Sequence, residues 1–180
     1  MQILKKITCK SALLLISILF LSAQTPTREY QVKAVFLYNF TQFVEWQQSS
    51  FAAPDAPMVI GILGKDPFGK YIDEAVANEV VNGHPLLVKR YNSIDEIKDC
   101  HILFINTNET NGLKETLENI KNQNILTVSD NSNFLKYGGI IRFFTQNDKI
   151  QLQINPEVAK SNNLTISSKL LWLAKIYKPD

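Results

Sequence analysis

The chain has 180 residues, 45% hydrophobic and 20% charged, with a formal net charge of +2. Ten Phe, six Tyr and two Trp exclude a disordered polar chain, and seven Gly and seven Pro exclude collagen-like or low-complexity sequence. The length suits one domain able to close a core.

Residues 1–23 read as a secretory signal. Lys5, Lys6 and Lys10 form a basic n-region, residues 12–21 an apolar run, and Ser22-Ala23 precede a cut ahead of Gln24. The apolar run holds about ten residues, half of the ~20 that span a bilayer. Leu21 is larger than the usual residue at its place before the cut, which leaves an uncleaved anchor as the alternative. The signal carries three Lys and no acid, so residues 24–180 hold 16 basic against 17 acidic groups. Such a near-neutral domain lacks the basic excess of a nucleic-acid binder. Cys9 leaves with the signal and Cys100 remains alone, so the mature chain has no intrachain disulfide. Ahead of the apolar run His101-Ile102-Leu103-Phe104-Ile105, Cys100 reads as a small buried hydrophobe, with a reactive or intermolecular thiol as the alternative.

The mature part opens on a helix over 28–46, with Val32, Val35, Phe36, Phe40, Phe43 and Val44 recurring at three and four residues. Residues 49–57 break it. The apolar run 58–63 lacks clean alternation, as in a strand covered on both faces. Asp66 and Pro67 then suit an N-cap and first turn, predicting a helix to about Asn78. Residues 85–91 read as a strand, and Ser93-Ile94-Asp95-Glu96 as a capping box on a short helix. A strand at 102–105 and a helix at 111–121 follow. A strand at 125–128 and a helical turn at 133–137 come next, with Gly138-Gly139 as a tight turn. Strands at 140–144 and 149–154 flank Gln146-Asn147-Asp148, a hairpin signal. Asn155-Pro156 caps another helix, and residues 167–177 close the chain with Leu170, Leu171, Leu173, Ala174 and Tyr177. The alternation implies a single α/β domain: a mostly parallel central sheet with an antiparallel C-terminal hairpin, flanked by helices on both faces.

Catalytic motifs are thin. The run 64–70 fits G-x-x-x-x-G-K, but Tyr71 stands where a phosphate loop needs Ser or Thr, and Pro67 removes an amide from the cradle. It reads as a strand-to-helix turn. The segment also lacks a dinucleotide fingerprint, and the sequence has no G-x-S-x-G elbow and no zinc spacing of Cys and His. Cys100 and His101 are strand neighbours and point to opposite faces, which disfavours a nucleophilic pair. The expectation is a protein that is not an enzyme and carries no cofactor or metal. Gly64, Asp66, Asn106 and Asp130 fall at strand ends, where open α/β sheets bind ligands. Asp66 and Asp130 are also good cap residues. Arg142, inside an apolar strand, is either a residue on a surface edge or a contact for a ligand anion. Phe36, Phe40 and Phe43 share one helix face and read as core, whereas Tyr38, Glu45 and Trp46 lean elsewhere and are candidate partner contacts.

The chain resembles the YfiR family of bacterial periplasmic proteins. The likeness lies in the stretches 30–40, Phe43-Val44-Glu45-Trp46, 60–69, 100–105, Leu126-Thr127-Val128-Ser129-Asp130, Gly138-Gly139-Ile140-Ile141, Ile154-Asn155-Pro156 and Ser167-Ser168-Lys169-Leu170-Leu171. Together they span nearly all of 24–180 in order. The resemblance implies a non-catalytic regulator, often dimeric, that binds the periplasmic part of a membrane-bound diguanylate cyclase or sensor kinase and represses it. Cyclic-di-GMP signalling and biofilm formation fall as a result. It also implies redox control through disulfides, from which this sequence departs because Cys100 has no mature partner. The alternative reading is a periplasmic receptor that binds a small ligand in the crevice at the strand C-terminal ends.

Overall fold

The computed structural model describes residues 28–107 and 110–179. The signal at 1–23 lies outside them. Helix α1 (Arg28–Phe43) runs into the short strand β1 (Val44–Glu45). Its buried stripe is Lys33, Ala34, Leu37, Phe40 and Thr41, with Phe36 and Phe43 partly buried against the same core. Val32 and Val35, expected on the apolar face, are 39% and 43% exposed instead. The helix is rotated so that Lys33 points inward to an acidic partner described below.

Strands β2 (Met58–Gly64), β4 (His84–Tyr91), β5 (Ile102–Asn106), β6 (Leu126–Ser129) and β7 (Ile141–Gln146) lie parallel in the order β4-β2-β5-β6-β7. Strand β8 (Lys149–Ile154) pairs antiparallel with β7 through a two-residue turn, Asn147-Asp148, both at positive φ (52° and 56°). That backbone is the type I′ geometry that matches strand twist. Two-residue strands close the edges: β3 (Val80–Val81) antiparallel on β4, and β10 (Lys175–Ile176) parallel on β8. A separate pair joins β1 to β9 (Thr165–Ile166). The parallel, hairpin and two-faced features of the expected sheet are all present. Six of the seven residues of β2 are buried, as its continuous apolar run requires.

Two cores fill the two faces. One gathers α1, α2 (Tyr71–Val76), α4 (Pro156–Ser161) and α5 (Ser168–Leu173) around Phe40, Phe68, Phe104 and Phe143. The other gathers α3 (Thr110–Asn119) and the turn at 131–138 around Leu103, Leu113, Leu117 and Phe134. Gly61 lets this second core close, because a Cβ there would sit 2.6 Å from Tyr91 and 2.8 Å from Cys100 Sγ. Asn155 caps α4 with its Oδ1 on Val158 N–H, as Asn-Pro predicts.

Several local expectations are corrected. The helix after β2 begins at Tyr71, not at Pro67. Asp66 Oδ1 does accept from the amides of Phe68 and Gly69, but Gly69 takes a left-handed φ of 55° and ends that turn. The capping box at 93–96 is half formed: Ser93 makes no side-chain cap, Glu96 accepts from Asn92 N–H, and only the 3-10 turn Ile94–Glu96 results. Strand β7 is interior, between β6 and β8, so Arg142 does not mark a sheet edge. It is half-buried: Nη1 donates to Ser132 O (2.9 Å) and the guanidinium lies 5.3 Å from the Phe144 ring centre, while Nε is buried without a partner. The apolar tail at 167–177 divides into α5 and the edge strand β10.

Candidate functional site

Connections leave β2 and β5 toward opposite faces, so a crevice opens between the C-terminal ends of these adjacent strands. In register, Gly64 faces Asn106. Gly64 has φ +89°, and a Cβ on it would lie 2.6 Å from Asn106 O, so only glycine allows this close approach. Asn106 Nδ2 donates to Lys65 O (2.6 Å), fixing the amide at the mouth. The crevice encloses about 460 Å³. Its walls are Leu63, Gly64, Asn106 and Thr107 from the sheet, Asn92, Ser93, Ile94 and Asp95 after β4, and Gly112, Glu115, Thr116 and Asn119 from α3.

Of the predicted ligand residues, the structure brings together Gly64 and Asn106. It places Asp66 and Asp130 in internal ion pairs on the α1 side of the sheet. Asp66 Oδ2 accepts from Arg90 Nε (2.8 Å), while Arg90 also reaches Asp73 Oδ2 (2.6 Å) and Gly69 O (2.9 Å). Arg90 thus clamps the turn that mimics a phosphate loop, and Lys70 stays 88% exposed. Asp130 Oδ2 accepts from Lys33 Nζ (2.7 Å) and the Tyr30 hydroxyl (3.0 Å), and Glu29 is 2.6 Å from the same ammonium. Lys33 is 2% exposed, so this pairing offsets a large desolvation cost. Burial first, then the Asp130 charge, pushes the Tyr30 hydroxyl up and keeps it protonated. Arg142 lies apart from both groups, on Ser132.

At the opposite end of the sheet the chain's two histidines meet. Phe51 stacks on His84 (3.8 Å) and on His101 (4.4 Å), and Trp46 meets His101 edge-on at 6.3 Å. His101 Nδ1 accepts from Val59 N–H (3.1 Å), and His84 Nδ1–H donates to Ala56 O (2.7 Å). Burial lowers His101 to about 4. Cys100 points to the other face as strand alternation requires, donating to Ile102 O, and burial pushes its thiol up to about 12. Among the described residues, no group of three or more His, Cys, Asp or Glu is placed to hold a metal ion.

The predicted partner residues diverge. Tyr38 donates to Glu79 (2.9 Å), Glu45 is exposed in β1, and Trp46 is half buried with its Nε1 on Asn124 O (3.0 Å). The apolar surface that the sequence reading missed lies at the other end of the chain. Trp172 is 86% exposed, Leu173 63% and Ile176 43%, around the edge strand β10. A signal for it existed: Leu170, Leu171 and Ala174 complete the buried stripe of α5, and Trp172 falls off that stripe.

The strand order and its switch-point crevice define a doubly wound α/β domain of the flavodoxin-like order. The chain belongs to the YfiR/HmsC-like family (DUF4154), whose model matches residues 30–175. No curated protein sequence matches significantly. Among solved structures it is similar to an ABC domain in complex with L-Trp from Streptococcus pneumonia, with 12% identity and a TM-score of 0.46. That match covers 67% of this chain and spans 55% of the other. Among the described residues, no helix is long and apolar enough to cross a membrane.

Proposed function

We propose that this protein is a non-catalytic periplasmic regulator that binds the periplasmic part of a membrane-bound diguanylate cyclase or sensor kinase and represses it. Family membership over 30–175 supports the class. The observation that carries the docking role is the C-terminal edge, where Trp172, Leu173 and Ile176 stand in solvent beside a two-residue edge strand. Exposed aromatic and aliphatic clusters on sheet edges mark protein interaction sites, and Trp is the residue type most enriched in binding hot spots. Repression then follows from thermodynamics: the protein holds the sensor in whichever conformation it binds better. Lower cyclic-di-GMP output and less biofilm are the cellular consequence.

The test is capture of the periplasmic segment of a membrane-bound diguanylate cyclase or sensor kinase from the same organism. Trp172→Ala lowers affinity at least tenfold, since hot-spot truncations cost about 2 kcal/mol or more, and leaves the melt unchanged because the side chain is exposed. Tyr38→Ala with Trp46→Ala probes the competing face. Loss of capture only in that pair moves the interface to α1 and β1. Full capture by both variants rejects both surfaces. Gly64 and Asn106 at the crevice favour a second role on the same chain, reception of a small ligand.

A further inference from the structure

We propose that the open edge of β10 takes up an extended acidic segment of a partner protein as an added strand. The inference rests on the docking reading of that edge and names what docks there. Strand β10 ends the sheet order, with β8 on its inner side. Tyr177 N–H donates to Ile154 O (2.7 Å), so Tyr177 turns its backbone toward β8. Successive residues of a strand turn their backbone groups to opposite sides, and the N–H and C=O of Ile176 therefore face outward. Ile176 is exposed, and among the described residues no other strand lies along this edge. A free donor and acceptor of this kind are a template for strand addition.

Charge and polarity around the edge specify the added strand. Ile176 is in register with Ile154 and shares its side of the sheet, that of the first core, where α5 leaves Trp172 and Leu173 exposed. Lys175 takes the other side, in register with Gln153 and through it with Arg142. Its Nζ and the Arg142 guanidinium lie 4.9 Å and 5.3 Å from the Phe144 ring centre, so two cations share that side. Residues 165–179 hold Lys169, Lys175 and Lys178 and no acid. Short length and lysines blunt an edge against indiscriminate pairing, and the same lysines select. A second copy of this chain would bring lysines against lysines across the new ladder, and like charges facing each other destabilise it. A strand alternating apolar with acidic residues meets Ile176 and Trp172 with one face and Lys175 with the other. Both sides of the edge are then matched.

Short synthetic peptides are the probes, one alternating valine with glutamate and one valine with lysine, in calorimetric titration of the purified protein. The glutamate peptide binds, the lysine peptide binds roughly tenfold more weakly or worse, and Lys175→Glu reverses the preference. By NMR, the bound glutamate peptide slows exchange of the Ile176 amide about tenfold or more, because that N–H gains an acceptor. Proline is tolerated on an edge strand where its nitrogen faces outward, so Ile176→Pro keeps the pairing with β8. Against Ile176→Ala, which retains the N–H, it weakens the glutamate peptide about fivefold, the net worth of one hydrogen bond. Equal binding of the two peptides, binding of neither, or an Ile176 amide that exchanges as fast with peptide as without it overturns strand addition. The docking reading fails separately. Capture of the sensor segment that is lost in Trp172→Ala yet full in Ile176→Pro keeps the docking edge and overturns the added strand. Full capture by Trp172→Ala rejects the docking edge itself, whatever the peptides do.

Discussion

Lowering the pH should loosen this protein through a single ring. His101 is 3% exposed, sandwiched by Phe51 and Trp46, and accepts from Val59 N–H through Nδ1. Protonation would remove that acceptor and place a charge in the core beside His84, with only the Ser50 backbone and the Asp99 charge to favour it. Its folded pKa of about 4 lies below the ordinary histidine value of 6.5. Between these values the unfolded chain binds more protons. The stability this ring contributes is therefore fully present above about pH 6.5, falls as the pH drops, and is lost below about pH 4. The full gap corresponds to roughly 3 kcal/mol at 1.36 kcal/mol per unit. By pH 5 the unscreened loss is about 2 kcal/mol, which solvent near the sheet end trims to about 1–2 kcal/mol. For a domain of this size that lowers Tm by roughly 3–8 °C. The assay is calorimetry from pH 8 to pH 4.5 on wild type and His101→Gln. The Gln carbonyl still accepts from Val59 N–H but does not titrate. Carboxylates titrate in both proteins and cancel in the difference. The two Tm curves should separate below pH 6.5 by several degrees. Parallel curves, or an NMR titration placing His101 above pH 6, would refute the argument.

Removing Asp130 (Asp130→Asn) leaves Lys33 buried with Glu29 alone and should cost about 2–4 kcal/mol in urea denaturation, while Lys33→Met is near neutral because it removes the buried charge itself. Gly64→Ala forces a side chain into positive φ and against Asn106 O, so the urea midpoint should fall by about 1–3 kcal/mol equivalent. With residues 1–23 absent, Cys100 should resist Ellman's reagent in the native protein and react fully in denaturant, because its thiol is buried and held near a pKa of about 12.

The sheet was legible because its strands are short apolar runs punctuated by Gly, Pro and Asn, and the hairpin because Asn147-Asp148 tolerates positive φ. The helix after β2 was misplaced for a physical reason: Asp66 and Pro67 carry true start signals, but Arg90, 24 residues later, draws Asp66 and Gly69 into a clamp. No local pattern reports that long-range pair. The same limit applies to Lys33. A lysine at a core position contradicts helix periodicity, and only Asp130, almost a hundred residues on, explains it. For the site, Gly64 and Asn106 were readable as strand ends. Asp95, Glu115 and Thr116 were not, because a short 3-10 turn and α3 deliver them from outside the strands. Trp172 was overlooked because apolarity was read as burial, which holds for a helical stripe and not for the residue beside it.

Distance governs what a regulator of this shape can do. Between β5, which borders the crevice, and β10, which borders the apolar edge, lie β6, β7 and β8. Four interstrand steps at about 4.8 Å place the two roughly 20 Å apart. A crevice ligand and a docked partner would therefore not touch, and any effect of one on the other must pass through a shared two-state element. Linkage then imposes an equality: the factor by which the ligand changes partner affinity is the factor by which the partner changes ligand affinity. Titrating a crevice ligand with and without the partner segment, and the partner with and without that ligand, measures both factors. Equal factors above one establish an effector-controlled regulator. Factors of one in both directions leave two independent sites on one sheet. A difference appearing in one direction alone is thermodynamically forbidden, and would mean that the ligand acts on the partner and not on this chain.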